Sequence, residues 1–329
     1  MMMLFPRILL ALGVAASAGS AAVSTAGAEP SGVAAPERLA QAEQAPAPTP
    51  RPARGAAEEA PLSQPLAPVR PSEGGVVSER RGAGGGTVVT YPDGGEYVGD
   101  FEGGRQHGKG TFRLPDGYEY VGEWREGRIE GEGIAKYPNG STYVGQFRDG
   151  APHGQGRITF EDGGEYEGAW KDGRIDGQGI AKYPNGVIYE GQFRDAAHHG
   201  RGKMTIPDSG YEYDGDWVEG LQDGQGVARY SNGTVYEGGF SKGQRSGRGK
   251  ILIENEGFEF EGDWSAGQMN GRGVARYRSG EAFNVYEGEF RAGRRHGHGV
   301  MTYATGEVYD GYWARGSRST QEEAEQQNQ

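Results

Sequence analysis

The sequence predicts an all-β chain: an elongated single-layer twisted β-solenoid of about ten hairpin repeats, preceded by a disordered Pro/Ala-rich segment. Three observations point there. An aromatic-x-Gly-x-aromatic unit recurs about every 23 residues, starting at Tyr97, Tyr120, Tyr143, Tyr166, Tyr189, Tyr213, Tyr236, Phe260, Tyr286 and Tyr309. Glycine supplies 62 of 329 residues, far above the ordinary share of about 7%. Asn-Gly and Asp-Gly pairs punctuate a period-2 alternation, the mark of short strands joined by tight turns that need residues with positive φ. One hairpin alone is marginal in water, so the ten must stack edge to edge, about 95 Å for twenty strands.

The first segment, residues 1–28, reads as a secretory signal peptide. Arg7 is its only charge, an apolar run follows, and Ala26-Gly27-Ala28 offers a cleavage site. The run falls short of the roughly 20 residues of a spanning helix; cleavage after Ala28 and retention as an anchor both stay open. Without cysteine there is no lipidation site and no disulfide, so the reading is an exported protein, periplasmic or secreted. Residues 29–86 ("APAPTPRPARG", "PLSQPLAPVRP") lack periodic apolar positions and read as a disordered Ala/Pro-rich linker. The solenoid spans 87–316, and 317–329 reads as a flexible polar tail.

Within the repeats, "YVGEWREGRIEGEGIAKYPNG" at 120–140 is representative. The units resemble MORN repeats (membrane occupation and recognition nexus) over about residues 87–316. Few departures occur: unit eight opens with Phe260, its last turn ("YRSGEAFNV") is lengthened, and the final unit stops at Gly316. The resemblance implies protein–protein assembly, self-association through terminal repeats, and in some members contact with membranes. It also implies that enzymatic activity, where present, belongs to a separate domain.

The fifth position of the unit alternates Phe101, Trp124, Phe147, Trp170, Phe193, Trp217, Phe240, Trp264, Phe290, Trp313. The sixteenth alternates in the opposite sense: Phe112, Ile158, Met204, Ile251 and Met301 in the Phe units, against Ala135, Ala181, Ala228 and Ala275 in the Trp units. Period 2 puts positions 1, 3, 5 and 12, 14, 16, 18 on one face, where glycines at 3, 12 and 14 make room for rings. A large ring beside a small neighbour in the same unit conserves core volume, so the structural unit is a pair of hairpins, and "IAKYPNG" repeats at 134–140 and 180–186.

The other face carries charge. Position 2 becomes acidic from the fourth unit (Glu167, Glu190, Asp214, Glu237, Glu261, Glu287, Asp310), and position 17 of the Trp units is basic: Lys136, Lys182, Arg229, Arg276. Those four cations form a candidate binding row with copies about 19 Å apart, a spacing suited to an extended anionic polymer; cross-strand ion pairing is the competing reading.

Chemistry is sparse. His107, His153, His199 and His296 recur in odd units at the same large spacing, too far apart to share a metal with bonds of about 2.0–2.1 Å. "GGRQHGK" lacks the Ser or Thr after Lys109 that a phosphate loop needs. No G-x-S-x-G elbow and no cysteine nucleophile occur. The expectation is a non-catalytic protein with no catalytic residue, metal or cofactor. A formal charge of −12, or −13 once residues 1–28 and their single Arg are removed, argues against nucleic acid. The expected function is an exported scaffold that binds a protein partner or forms a homodimer through its terminal repeats, with the open edge at Tyr309–Gly316 as the dimerisation point. The alternative is a module binding membrane lipid or an envelope polymer (peptidoglycan, polysaccharide or anionic lipid) along the repeat face.

Overall fold

A computed structural model describes Leu66, Val76, Ser78–Arg81 and residues 87–326. The segment read as a signal peptide and most of the segment read as a linker lie outside the described residues. The rest is a single antiparallel sheet of 22 strands that meanders in sequence order. β1 (Ser78–Arg81) and β2 (Thr87–Thr90) lead into ten hairpins, from β3 (Glu96–Glu102) and β4 (Arg105–Arg113) to β21 (Val308–Ala314) and β22 (Ser317–Ser319). The predicted all-β, single-layer repeat architecture is the one observed.

Each hairpin has the same internal geometry, seen in β5 (Glu119–Arg125) and β6 (Arg128–Lys136). Gly122 pairs with Gly133 and Trp124 with Ile129, so β6 carries two extra residues between these pairs. Gly131 takes up the bulge at φ +73°, a conformation glycine adopts without a side-chain clash. Every unit from β3 to the hairpin of β19 (Ala282–Arg291) and β20 (Arg294–Thr302) shifts register in this way, whereas the pairings between hairpins run without a break. A bulge bends its strand. A line of bulges therefore creases the sheet along its length, and the crease encloses the aromatic rings of a one-layer sheet.

The two turn types differ from the expectation. The tight two-residue turns with positive φ at both positions are pairs such as Glu126-Gly127 (49°, 82°) and Asp172-Gly173 (49°, 81°). At "YPNG" only Gly140 has positive φ. Tyr137 N–H donates to Ser141 O at 2.9 Å, and Asn139 Oδ1 accepts from Ser141 N–H at 3.1 Å. Asn139 thus contributes a side-chain acceptor, not a left-handed backbone. The one-residue insertions after units five and seven form single turns of 3-10 helix, Pro207–Ser209 and Glu254–Glu256, closed by left-handed Gly210 and Gly257. The 26-residue unit does not lengthen a turn. Its extra residues extend β18 (Gln268–Ser279) and β19, which stay paired out to Ser279 and Ala282.

Two boundaries also move. β1 lies inside the stretch read as linker; its polar "SERR" shows no apolar alternation, and pairing with β2 makes it a strand. The tail is built too: β22 pairs with Tyr312, Trp313 and Ala314, and a helix (Gln321–Gln326) packs on β20 and β21 with Ala324 buried. Thr320 and Glu323 cap that helix reciprocally, hydroxyl to backbone N–H and carboxylate to backbone N–H. At the edge expected to be open, Tyr309–Gly316, the chain's own tail pairs with Tyr312, Trp313 and Ala314, which caps part of the terminal repeat.

Candidate binding surface

The first-position rings (Tyr97, Tyr120, Tyr143, Tyr166, Tyr189, Tyr213, Tyr236, Phe260, Tyr286) are fully buried, while Tyr309 in the short last hairpin is half-buried. Each tyrosine lies flat over the glycines of its own hairpin: a Cβ on Gly133 would stand 2.4 Å from Tyr120 Cε2. Its hydroxyl donates to a carbonyl three residues on, as Tyr120 does to Glu123 O at 3.0 Å. Burial pushes the hydroxyls of the fully buried tyrosines above the usual phenol range, so they remain protonated donors. The fifth-position rings are buried except Phe101, which is half-buried against the core.

Volume compensation within one unit is not the packing rule. The indole of Trp124 leans over the preceding hairpin, 5.0 Å from Tyr97 and 6.0 Å from Phe112. Every indole N–H donates to the position-14 glycine carbonyl of the preceding unit, for example Trp217 to Gly202 O at 3.0 Å and Trp264 to Gly249 O at 3.1 Å. The glycine leaves its carbonyl reachable, and only Trp has the N–H to use it. The 46-residue period stands, but its partners are offset by one hairpin, and Trp124 sits beside the bulky Phe112.

Position 10 also faces the core, although its identities share no class: Gln106, Ile129, Pro152, Ile175, His198, Gln222, Arg245, Met269, Arg295. Its polar members reach hydroxyls or rings. Gln106 bonds the Tyr91 hydroxyl, Gln222 Nε2 bonds Tyr211 Oη at 2.9 Å, and Arg245 and Arg295 lie 4.4 and 4.2 Å from the rings of Trp264 and Trp313.

The outer face divides in two. Across β3 to β7 (Thr142–Arg148), Val98, Thr111, Val121, Ile134 and Val144 are successive cross-strand partners. Val121, Ile134 and Val144 are 43%, 42% and 47% exposed, so this is an aliphatic strip open to solvent. From β8 (Ala151–Thr159) onward the same row turns largely to charge, beginning with Arg157 bonded to Glu167 at 2.6 Å. The four cations singled out in the sequence lie in the neighbouring row, and each stands opposite a glutamate: Lys136 and Glu119, Lys182 and Glu165, Arg229 and Glu212, Arg276 and Glu259. Three of these pairs are 3.7, 3.8 and 3.1 Å apart, while Glu212 holds Lys203 at 3.3 Å. The row alternates Glu–Lys or Glu–Arg pairs with neutral pairs such as Thr142–Thr159 and Ile188–Thr205.

The histidines disperse as their spacing requires. His107 pairs with Glu102, His153 with Asp172, His298 with Asp310, and His296 is buried. Among the described residues no group of three or more His, Asp or Glu is placed to hold a metal ion.

The MORN repeat pattern matches nine consecutive segments, 97–117, 120–142, 143–165, 166–188, 189–211, 213–235, 236–255, 260–282 and 286–308, which together exceed half of the chain. The chain belongs to the MORN repeat family. No curated protein matches it. Among solved structures it is similar to the TCP10 domain of Danio rerio CPAP in complex with a peptide of Danio rerio STIL (13% identity, 72% of this chain and 99% of that one, TM-score 0.39). It is also similar to the SAS-4 TCP domain in complex with a Proline Rich Motif of Ana2 of Drosophila melanogaster (16% identity, 55% and 99%, TM-score 0.33). At these identities and scores the likeness supports no argument about this chain.

One MORN core residue makes the array sensitive to acid. His198 stacks on Tyr189 at 3.7 Å, its Nε2 lies 2.8 Å from Tyr183 Oη, and burial lowers its pKa to about 3. The unfolded imidazole titrates near 6.5, so between those values the unfolded chain binds the extra proton. Stability is then full above about pH 6.5 and falls as pH drops, by about 2 kcal/mol at pH 5. His198→Gln copies the residue at the same position in units one and six and flattens this dependence. Denaturation midpoints at pH 7.5 and 5 check it; equal pH shifts in both proteins would refute it.

Proposed function

We propose that this MORN protein is a non-catalytic exported scaffold that binds a partner protein through the aliphatic strip of its N-terminal repeats. The observation that carries the reading is the strip itself. The repeat aromatics are consumed by the core, and Val121, Ile134 and Val144 form a contiguous exposed apolar row, whereas exposed apolar residues further along, such as Ile180, stand between charged partners. Membership of the repeat family supports a binding role, and the signal-like sequence at 1–28 supports export to the periplasm or beyond. For self-association too we favour this face, because the tail pairs with Tyr312, Trp313 and Ala314 at the C-terminal edge. The alternative reading, lipid or envelope-polymer binding along Lys136, Lys182, Arg229 and Arg276, has less support, because each cation stands opposite a glutamate.

The test is crosslinking of the exported protein in cells, with mass spectrometry of what is captured. Val121→Lys/Ile134→Lys/Val144→Lys is expected to lose a partner that the quadruple Ala variant of the cation row retains. Light scattering identifies a second copy as the occupant if the triple variant converts a dimer to a monomer. If the triple variant keeps every partner, or the quadruple variant alone loses binding to sacculi or anionic vesicles, the strip is not the site.

A further inference from the structure

The last hairpin is half built. β21 begins at Val308, but β22 pairs only with Tyr312, Trp313 and Ala314. Among the described residues no strand lies on the outer side of residues 308–311. In unit nine the corresponding residues are covered: Val285, Tyr286, Glu287 and Gly288 pair with Thr302, Met301, Val300 and Gly299. The tail cannot do the same. Position 14 is glycine in every preceding unit, because the first-position ring lies on it; a Cβ on Gly299 would stand 2.3 Å from Tyr286 Oη. In the last unit that position falls on Glu322, and the chain leaves the strand after Ser319 to form its capped helix. The helix touches β20 as well as β21, which places it over the sheet face. A segment beside the edge would stand two strand spacings, about 9.6 Å, from β20. Tyr303 N–H donates to Glu307 O at 2.8 Å. Antiparallel alternation then turns the peptide groups of Tyr309 and Gly311 toward β20 and those of Val308 and Asp310 away from it. Val308 is 59% exposed, whereas Val235 and Val285 at the same position of units seven and nine are half-buried.

We infer that residues 308–311 take up an extended strand from a partner protein, one that reads glycine, then a basic residue, then an apolar residue. The array itself specifies this occupant. "VYDG" at 308–311 nearly repeats "VYEG" at 235–238 and 285–288. In unit seven that sequence lies on β15 (Thr234–Ser241) and is covered by β16 (Gln244–Ile253). Gly249 pairs with Gly238, Lys250 with Glu237, Ile251 with Tyr236 and Leu252 with Val235. On β21 the partner's glycine passes beneath the ring of Tyr309 and opposite Gly311. Its cation meets Asp310, whose carboxylate is 64% exposed and already holds His298 at 3.0 Å. Its apolar side chain turns to the same face as Tyr309. Main-chain pairing supplies the affinity in this mode of binding, and the alternate side chains choose the partner. The site lies at the C-terminal end of the sheet, away from the aliphatic strip. The inference goes beyond the scaffold reading and holds whichever protein the strip binds.

A synthetic peptide of residues 248–255 (RGKILIEN), added to the full-length protein and followed by residue-resolved amide exchange, tests it. Saturating peptide is expected to slow the Val308 and Asp310 amides about tenfold or more and to leave β1, the other edge strand, unchanged. In the peptide, Gly249→Ala sets a methyl beneath Tyr309 and should weaken binding about tenfold or more. Lys250→Glu puts like charges opposite one another at Asp310 and should weaken it about threefold. No protection by the parent peptide, or equal protection by its Gly249→Ala form, overturns the site. Unchanged binding of the Lys250→Glu form overturns the basic residue. Equal protection in β1 overturns selectivity in favour of pairing with any open edge. Val308 and Asp310 amides already slow without peptide overturn the partner strand: a monomer in light scattering then means that this chain covers its own edge, and a dimer that a second copy does.

Discussion

Trp217→Ala is expected to cost about 3–5 kcal/mol, the range for truncating a large buried aromatic ring. The side chain is 1% exposed and lies edge-on to rings of two successive units, 5.3 Å from Tyr189 and 5.2 Å from Tyr213. Truncation also strands the carbonyl of Gly202, which accepts the indole N–H at 3.0 Å. In a linear array each unit is held only by its neighbours, so the loss falls on the interface between units five and six and uncouples the two halves. Chemical denaturation of the variant should split into two transitions, with amide exchange accelerating first around Tyr189 and Tyr213. Trp217→Phe keeps a ring but not the donor and should fall between the two. A Trp217→Ala midpoint equal to the parent's would remove the leaning indole as the link between hairpins.

The architecture was legible because its signals are columns: an aromatic every 23 residues, glycines at fixed offsets and apolar residues two apart. What stayed hidden lacks a column or concerns direction. Spacing places Trp124 on the core face but does not say whether its indole leans forward over Ala135 or back over Phe112; that choice rests on a side-chain rotamer and the carbonyl of Gly110. Position 10 passes unnoticed because Gln106, Ile129, Pro152 and His198 share no chemistry, although each is covered by the next turn, whose backbone N–H bonds the position-10 carbonyl. The carboxylates opposite the cation row were visible, since Glu119, Glu165, Glu212 and Glu259 alternate in step with it one residue before each first-position ring. Comparison of those two columns in register would have found them.

Gly226→Ala isolates the glycine–ring contact on which the repeat depends. A Cβ there would stand 2.5 Å from Tyr213 Oη and 2.6 Å from its Cε2 and Cζ, well inside van der Waals contact. The backbone at Gly226 is not left-handed, so alanine adds no conformational strain. On propensity alone the change should stabilise by about 0.4–1 kcal/mol, by restricting the unfolded chain. Overpacking instead costs about 1–3 kcal/mol, sometimes more, and a displaced ring also loses its 3.0 Å hydrogen bond to Asp216 O, worth about 1 kcal/mol. Sterics decide the sign, and the net expectation is a loss of about 2 kcal/mol. In a Tyr213→Ala background the obstacle is gone, and the same substitution should stabilise by the about 0.4–1 kcal/mol of the unfolded-chain effect, a coupling of about 2–3 kcal/mol. Equal costs in both backgrounds would mean that the ring does not rest on the glycine. The unit would then need glycine for its backbone alone, and the first-position tyrosines would be free to vary; a strong coupling instead ties tyrosine and glycine together as one element in every hairpin of the array.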